Sequence, residues 1–241
     1  MTVAQHLSWA ILAVIVLLIP LPLQSADDSI SGNKAEWQTR LNRSPLKNRQ
    51  VLLAFKTPGS PAVLYGFEKK EGGWVPALGP FEASIGKNGF APPGLKKEGD
   101  GKTPSGRFSL GTAFGYAESI PTRMPYRQAT PSDVWIDDPQ ADDYNRCTQR
   151  NATQARSYED MRRPDGLYRY GLVIEYNTNP VVKDRGSAIF IHVRRDQGAP
   201  TAGCIALSEK DILQVLGWLQ PSADPLIIMG DQTTLEKELL P

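Results

Sequence analysis

The amino-acid sequence predicts a mainly β domain, a β-sandwich or a barrel with a few short helices. Glycine and proline are frequent, with 21 and 20 among the 241 residues, and from residue 50 onward they separate short runs that are apolar or alternating. Regularly spaced short strands with turn residues between them are typical of sandwiches and barrels. We therefore expect strands to pair mainly with each other rather than to alternate with helices.

Eight segments have the length and composition of strands. We predict them at residues 51–55, 62–67, 74–85, 107–110, 134–136, 167–176, 187–195 and 226–229. Residues 34–49, which precede them, are polar with scattered apolar side chains, and we expect a short helix or an irregular lead-in there. No repeat and no linker divides the chain.

One helix is predicted near the carboxyl end. Ser208 can cap it, and Glu209 and Asp211 lie in its first turn, where the helix dipole favours negative charge. Apolar residues then recur at helical spacing as far as Leu219, and Pro221 ends the pattern. This helix should pack on the sheet and fix the turn that precedes it.

The first 26 residues differ from the rest in composition. They contain no Lys, Arg, Asp or Glu, and residues 9–23 are apolar, which suits the hydrophobic part of a signal peptide. No clean cleavage site follows, so an uncleaved membrane anchor is the alternative. Both predict export, to the periplasm or cell envelope, with membrane contact only through this leader. The rest divides into a lead-in at 27–49, one domain at 50–231 and a tail at 232–241.

Charge limits the possible partners. The chain has 27 basic and 26 acidic residues, a formal net charge of +1. A dedicated nucleic-acid binder would have a basic excess, so we expect no nucleic-acid partner. The sequence gives no indication of the oligomeric state.

Histidine and cysteine are scarce enough to define a candidate pair. His192 is the only histidine outside the leader, and Cys204 follows it in the run Pro-Thr-Ala-Gly-Cys-Ile at residues 200–205. A thiol is a good nucleophile only as thiolate, and a neighbouring imidazole can take its proton and later return it. If the chain performs cysteine chemistry, His192 is the base available to Cys204.

The predicted strand at 187–195 places this histidine on one face. Side chains alternate along a strand, so Ile189, Ile191 and Val193 share the face that we expect in the core. His192 and Arg194 share the opposite face with Phe190, and Arg195 is expected at the strand end in solvent. A hairpin-like return through residues 196–200 would bring Cys204 beside His192.

Three segments resemble a known family. Residues 187–192 (Ser-Ala-Ile-Phe-Ile-His) with 201–205 (Thr-Ala-Gly-Cys-Ile) resemble the His…[Ser/Thr]-x-Gly-Cys-[Ile/Val] signature of the YkuD-type L,D-transpeptidases. Residues 98–106 (Glu-Gly-Asp-Gly-Lys-Thr-Pro-Ser-Gly), and 135–139 (Trp-Ile-Asp-Asp-Pro) with Tyr144 and Asn145, are also similar to that family. The likeness spans roughly residues 51–231, and its cysteine segment is the specific part.

The resemblance implies a YkuD-like β-sandwich or barrel and a reaction on peptidoglycan stem peptides. His192 would deprotonate Cys204, which attacks the bond between the third stem residue, a diamino acid, and the terminal D-Ala. A thioester forms, D-Ala leaves and an amine resolves the thioester. The backbone N–H of Gly203 or Cys204 would stabilise the oxyanion. Thr201 would hydrogen-bond within the turn or to His192.

A cation is also expected near the substrate, because stem peptides carry carboxylates. Arg194 is the candidate, since it shares the face of His192 and a guanidinium can bind a carboxylate with two hydrogen bonds. A solvated arginine at a strand end is the alternative.

The chain departs from the commonest form of the family, which has Ser-His-Gly-Cys-Ile-Arg. Here residues 201–206 are Thr-Ala-Gly-Cys-Ile-Ala, without the second histidine and the arginine. Two alternatives therefore stay open: an L,D-carboxypeptidase that uses water as the acceptor, and a non-catalytic wall-binding module with a Cys147–Cys204 disulfide. Without that bridge, Cys147 is expected to be a buried free thiol.

We expect no metal and no organic cofactor. One histidine and two cysteines do not readily form a zinc site of the usual composition. Residues 101–103 (Gly-Lys-Thr) lack the earlier glycine of a P-loop, and the acidic residues at 137–143 lack the spacing of an EF-hand.

Overall fold

A computed structural model describes the backbone of residues 26–240 and the side chains from residue 34 onward. The predicted leader lies outside the described residues except for its last position. The helices are α1 (Ala26–Arg43), α2 (Glu209–Trp218) and α3 (Gln232–Glu238). The strands are β1 (Gln50–Lys56), β2 (Ala62–Lys70), β3 (Gly73–Ala83), β4 (Gly106–Gly115), β5 (Tyr126–Gln128), β6 (Asp133–Ile136), β7 (Cys147–Gln149), β8 (Tyr158–Asp160), β9 (Tyr170–Ile174), β10 (Phe190–Val193), β11 (Ile205–Leu207) and β12 (Leu226–Asp231). The mainly β class predicted from the sequence is confirmed.

The strands form one large and one small sheet. The large sheet has the order β11-β10-β9-β4-β12-β1-β2-β3, with β5 added beside β4, and the small sheet has the order β7-β6-β8. The large sheet curls until its edges meet, because Ser84, which follows β3, exchanges two backbone hydrogen bonds of 2.8 Å with Ala206 in β11. This junction lies two residues from Cys204.

Three hydrophobic clusters hold these layers together. The largest lies between α2 and the inner face of the large sheet, and it includes Ile191, Ile205 and Ile212. A second joins α1 and α3 to the opposite face of β1, β2 and β12. The third lies between β9 and β10 and the small sheet, and Phe190 and Cys204 belong to it. Burial of apolar surface in such clusters is the main favourable contribution to folding.

The predicted helix near the carboxyl end is confirmed as α2. Ser208 caps it, with its Oγ accepting a hydrogen bond from the Asp211 N–H at 3.2 Å. Ile212, Val215 and Leu216 are fully buried against the sheet. The helix therefore fixes the end of β11 and, through it, the turn that carries Cys204.

Both ends of the domain are better packed than the sequence predicts. Residues 34–43 continue helix α1, in which Trp37 and Leu41 are fully buried. Residues 232–238, predicted as a tail, form α3, where the Asp231 carboxylate caps the Thr234 N–H at 2.7 Å and Leu235 is fully buried. The sequence did not indicate this packing, because each helix contributes only a narrow stripe of apolar residues to the second hydrophobic cluster.

Four strands are absent from the sequence prediction: β5, β7, β8 and β11. Each has three residues, which is too short for an alternating pattern to stand out. Among the helices of the described residues, none has the length and apolar character needed to span a membrane.

Candidate active site

The candidate pair lies on two neighbouring parallel strands. In the register of β10 and β11, Ile191 is opposite Ile205 and His192 is opposite Ala206. Cys204 precedes β11 and lies beside Phe190, whose N–H contacts the Cys204 Sγ at 3.4 Å. The predicted hairpin-like return is wrong, because parallel neighbours require a crossover loop. The loop comprises residues 194–204. Because His192 is opposite Ala206, Cys204 lies two positions along the neighbouring strand from the residue that faces His192.

The predicted division of β10 into two faces is confirmed. Ile189, Ile191 and Val193 belong to the inner cluster of the large sheet, whereas Phe190 belongs to the cluster beneath the small sheet. The His192 ring lies on this second side, edge-on to Tyr168 with ring centroids 5.2 Å apart.

The Cys204 thiol is buried, with 6 % of the residue exposed. Its Sγ donates to the Ala188 carbonyl at 3.2 Å. Burial raises the pKa of Cys204, and the negative charge of Glu159 raises that pKa further. Before substrate binds, the sulfur is therefore a neutral thiol.

Asn145 positions the carbonyl that holds this thiol. Its Oδ1 accepts hydrogen bonds from the Ala188 N–H at 3.1 Å and from the Trp135 Nε1–H at 2.8 Å. Its Nδ2 donates to the carbonyls of Tyr176 and Asn177. Because Ala188 has a φ of 52°, a conformation rare for residues with a Cβ, these bonds hold a backbone that would otherwise relax.

Glu98 anchors the same segment one step earlier. Its Oε2 accepts hydrogen bonds from the Tyr144 hydroxyl and from the Ser187 Oγ at 2.7 Å. The Tyr144 hydroxyl in turn accepts from the Gly186 N–H at 3.0 Å. The two weaker segments of the family resemblance thus converge on residues 186–188, which lead into β10 and contact the sulfur.

His192 is a neutral imidazole with a defined tautomer. Its Nδ1 lies 2.8 Å from the Val193 carbonyl oxygen, which can only accept, so Nδ1 carries the proton and Nε2 has the free lone pair. Burial lowers the pKa of His192 to about 4. In the described part of the chain, no hydrogen bond joins this ring to Cys204.

Two cavities border the sulfur. The first, of about 220 Å³, is lined by Cys204 and His192 together with Glu159, Arg163 and Arg195. The second, of about 230 Å³, is lined by Cys204, Gly203, Lys96, Glu98, Asp137 and Glu159, among others. Cys204, Ala202 and Glu159 line both. Cys204 and His192 therefore line one shared space into which a substrate carbonyl could enter.

Thr201 and Gly203 shape the turn before the sulfur. The Thr201 Oγ1 accepts from the Gly203 N–H at 3.1 Å and donates to the Cys204 carbonyl at 2.7 Å. Of the two partners expected for Thr201, the structure thus has the one within the turn and not His192. A Cβ at Gly203 would lie 2.9 Å from the Lys102 carbonyl oxygen, so only glycine lets the backbones approach this closely.

Arg194 does not lie where the sequence predicts it. Its guanidinium pairs with the Glu82 carboxylate at 3.0 Å, and it is absent from the residues that line the two cavities. Strand β10 ends at Val193, so the alternation of faces ends before Arg194. Arg163 and Arg195 line the cavity instead, and both contact Asp165.

Sequence reasoning also missed Glu159 and Tyr168. The Tyr168 hydroxyl donates to the Glu159 Oε2, and burial raises the pKa of both side chains. Glu159 lies in a three-residue strand within a polar stretch, so no pattern in the sequence distinguished it from a solvated carboxylate.

The cysteines are not bridged. Cys147 and Cys204 are both free, and Cys147 is partly exposed rather than buried. The disulfide of the wall-binding alternative is therefore absent. Within the described residues, no group of three or more His, Cys, Asp or Glu side chains could hold a metal ion.

Comparison with known proteins gives one result. No curated protein and no solved structure matches the chain. A family model of the YkuD L,D-transpeptidase catalytic domain matches residues 62–228, which include β10, the cysteine turn and the segments that anchor them. The chain therefore belongs to the YkuD family of L,D-transpeptidase catalytic domains.

Proposed function

We propose that this protein is an L,D-transpeptidase that cross-links peptidoglycan. Cys204 forms a thioester with a stem peptide, D-Ala is released, and the acyl group passes to an amine. The observation that carries this proposal is the cavity that Cys204 and His192 line together, within a chain of this family.

Acylation begins with the transfer of a proton from sulfur to nitrogen. Because the thiol and the imidazole are both neutral at rest, the nucleophile is generated only as the substrate carbonyl arrives. The Nε2 of His192 accepts the proton while the Val193 carbonyl holds Nδ1–H and stabilises the imidazolium. The same proton then passes to the departing amine of D-Ala.

The oxyanion of the tetrahedral intermediate needs a backbone donor. The Gly203 N–H already donates to the Thr201 Oγ1, whereas the Cys204 N–H has no partner among the described residues. We therefore assign the first oxyanion contact to the Cys204 N–H, with Gly203 providing the close backbone approach.

Carboxylates of the stem peptide would bind at the arginines of the first cavity. Arg163 and Arg195 line it and both approach Asp165. An incoming carboxylate can replace Asp165 as their partner without leaving a buried charge unpaired. This role replaces the one expected for Arg194.

The second cavity supports transfer to an amine as the main reaction. A carboxypeptidase needs room only for the donor peptide and a water molecule. Here Cys204 lines two cavities of similar volume, so a donor peptide and a second peptide can each approach it. Peptidoglycan stem peptides are found outside the cytoplasm, which agrees with the proposed export to the periplasm or cell envelope.

Intact-protein mass spectrometry tests the proposal. After incubation with a stem tetrapeptide or a carbapenem, the protein should gain one acyl adduct, and peptide mapping should place it on Cys204. The matched control is Cys147→Ser, which should acylate like the parent protein. An adduct on Cys147, or none at all, would overturn the proposed function. The masses of the released peptides then distinguish cross-linked from hydrolysed products.

A further inference from the structure

We propose that Glu159 is a catalytic residue for the transfer step, accepting the surplus proton of the amine that resolves the thioester. This inference rests on the proposed transferase function and adds to it the residue that handles the acceptor. Two observations and one chemical requirement support it: Glu159 lines both cavities, one of its carboxylate oxygens is free, and transfer must remove a surplus proton.

Glu159 lies where donor and acceptor would meet. It belongs to β8 and pairs with Trp135 of β6, which brings it over the cysteine turn from the small sheet. Only Glu159, Ala202 and Cys204 are shared by the linings of the two cavities. Among these three, Glu159 has the one side chain other than the nucleophile that can exchange a proton.

One oxygen of the carboxylate is held and the other is free. The Tyr168 hydroxyl donates to Oε2, while Oε1 has no hydrogen-bond partner in the described part of the chain. Tyr168 also packs edge-on against His192. The carboxylate is therefore fixed in direction, with one oxygen left for a ligand.

The proton count of transfer leaves a task that His192 cannot complete. An alkylamine has a pKa of about 10.4 and enters as an ammonium at neutral pH, so it must lose one proton before it can attack. Its nitrogen then bonds to the thioester carbon and passes a second proton to the Nε2 of His192. The C–S bond breaks with its electron pair on sulfur, and His192 returns that proton to the thiolate.

His192 and Cys204 thus end the step as they began it, and one proton from the ammonium remains. We assign that proton to the Oε1 of Glu159, which releases it to solvent after the product leaves. When water is the acceptor, the attacking molecule is neutral and has no such proton to lose beforehand. Glu159 therefore distinguishes transfer to a charged amine from hydrolysis.

The surroundings of Glu159 suit proton capture. Burial raises the pKa of its carboxyl, which increases its affinity for a proton, while the positive charge of Arg163 opposes that shift. The titratable and charged groups around it, or lining the cavities that it borders, are Lys87, Lys96, Glu98, Asp137, Arg163, Tyr168, His192, Arg195 and Cys204. The second cavity has three carboxylates, Glu98, Asp137 and Glu159, against the ammonium groups of Lys87 and Lys96. Because Lys96 is already paired with Asp100 at 2.7 Å, the carboxylates are in excess and an entering ammonium is favoured.

The decisive experiment compares two acceptors in Glu159→Gln. The donor is a stem tetrapeptide, and the acceptors are a stem tripeptide with a free side-chain amine, which is protonated at pH 7, and methoxyamine, which is neutral. Transfer to the peptide amine should fall about 100-fold, as for the loss of a general base. Transfer to methoxyamine should change less than about threefold. The glutamine keeps an oxygen for the Tyr168 hydroxyl.

The matched control is Glu71→Gln, an exposed glutamate in the turn between β2 and β3, which should transfer to both acceptors like the parent protein. If the rates of transfer to the two acceptors fall equally in Glu159→Gln, or if neither rate falls, the assignment of Glu159 is wrong while the proposed function stands. If the parent protein forms no thioester in the same assay, the proposed function fails and this inference fails with it.

A measurement on the parent protein covers the case in which Glu159→Gln does not fold. We expect the ratio of transfer to the peptide amine over transfer to methoxyamine to be independent of pH above the pKa of Glu159, because the ammonium itself binds. If only the neutral amine enters from solution, the ratio should instead rise about tenfold per pH unit. That rise would overturn the inference.

Discussion

Cys204 belongs to the hydrophobic cluster beneath the small sheet and Cys147 packs against that cluster, yet their surroundings differ. Cys204 borders two cavities and shares one of them with His192, whereas Cys147 begins β7 opposite Trp135 and lies near Arg127 and Asp133. Burial raises the pKa of both thiols. A lowered thiol pKa at rest therefore marks neither of them as the nucleophile.

The difference between the cysteines lies in what each sulfur can reach. A neutral thiol reacts when a base and an electrophile meet it in one space, and only Cys204 has both an imidazole and a cavity beside it among the described residues. A raised thiol pKa is compatible with this chemistry, because the proton needs to leave only during attack.

The largest expected effect is on acylation, when each cysteine is substituted in turn. Cys204→Ala should abolish formation of the acyl-enzyme, because Cys204 carries the one thiol among the described residues that line the cavity with His192. Cys147→Ser should change the acylation rate less than about twofold and unfolding by about 0.5 kcal/mol or less, since the residue is partly exposed. Stopped-flow acylation with a carbapenem measures both. Equal losses of acylation rate in the two variants would show that the two cysteines do not differ in function.

The next largest effect is expected when the imidazole is removed while both sulfurs are kept. His192→Gln should slow acylation about 1,000-fold through the loss of the general base. Modification of Cys147 by a thiol reagent should proceed at the parent rate, because no interaction among the described residues links Cys147 to His192. If reactivity falls at both cysteines, the variant has disturbed the fold and not the base alone. Circular dichroism provides the check on folding.

Part of this contrast could be predicted from the sequence. The alternation in β10 correctly assigned Ile191 to the core and His192 to the opposite face, because a strand has a fixed period of two. The prediction failed where the pattern was too short. Strand β11 has three residues, so the parallel pairing and the crossover loop left no periodic signal.

Other parts depend on residues that are distant in the sequence. Arg194 pairs with Glu82, which is 112 positions earlier, and only the curled sheet brings β3 to β10. Glu159 likewise meets the cysteine turn only because the small sheet folds over it. Local spacing has no information on such contacts. The pair His192 and Cys204 could therefore be proposed from the sequence, whereas Glu159 and the arginines of the first cavity could not.

The third effect concerns pH. Burial lowers the pKa of His192 from 6.5 to about 4, so the unfolded chain binds more protons than the folded one between these values. Stability conferred by the neutral ring is complete above pH 6.5 and declines as the pH falls towards 4, by about 3 kcal/mol in total. Urea unfolding of the parent and of His192→Gln should diverge over this range. Parallel curves would show that the ring is accessible to water and protonates in place.

The smallest effect concerns Asn145, which is two positions before Cys147 in the chain but serves Cys204. Asn145→Ala leaves the N–H groups of Ala188 and Trp135 without an acceptor, which should destabilise the fold by about 2 kcal/mol. The Ala188 carbonyl that holds the thiol then loses its support, so acylation at Cys204 should slow while reagent access to Cys147 stays the same. Asn151→Ala, an exposed control, should have neither effect. If Asn145→Ala instead changed reagent access to Cys147 and left acylation at Cys204 unchanged, that result would contradict the role assigned to the Asn145 hydrogen bonds and the independence of the two cysteine environments.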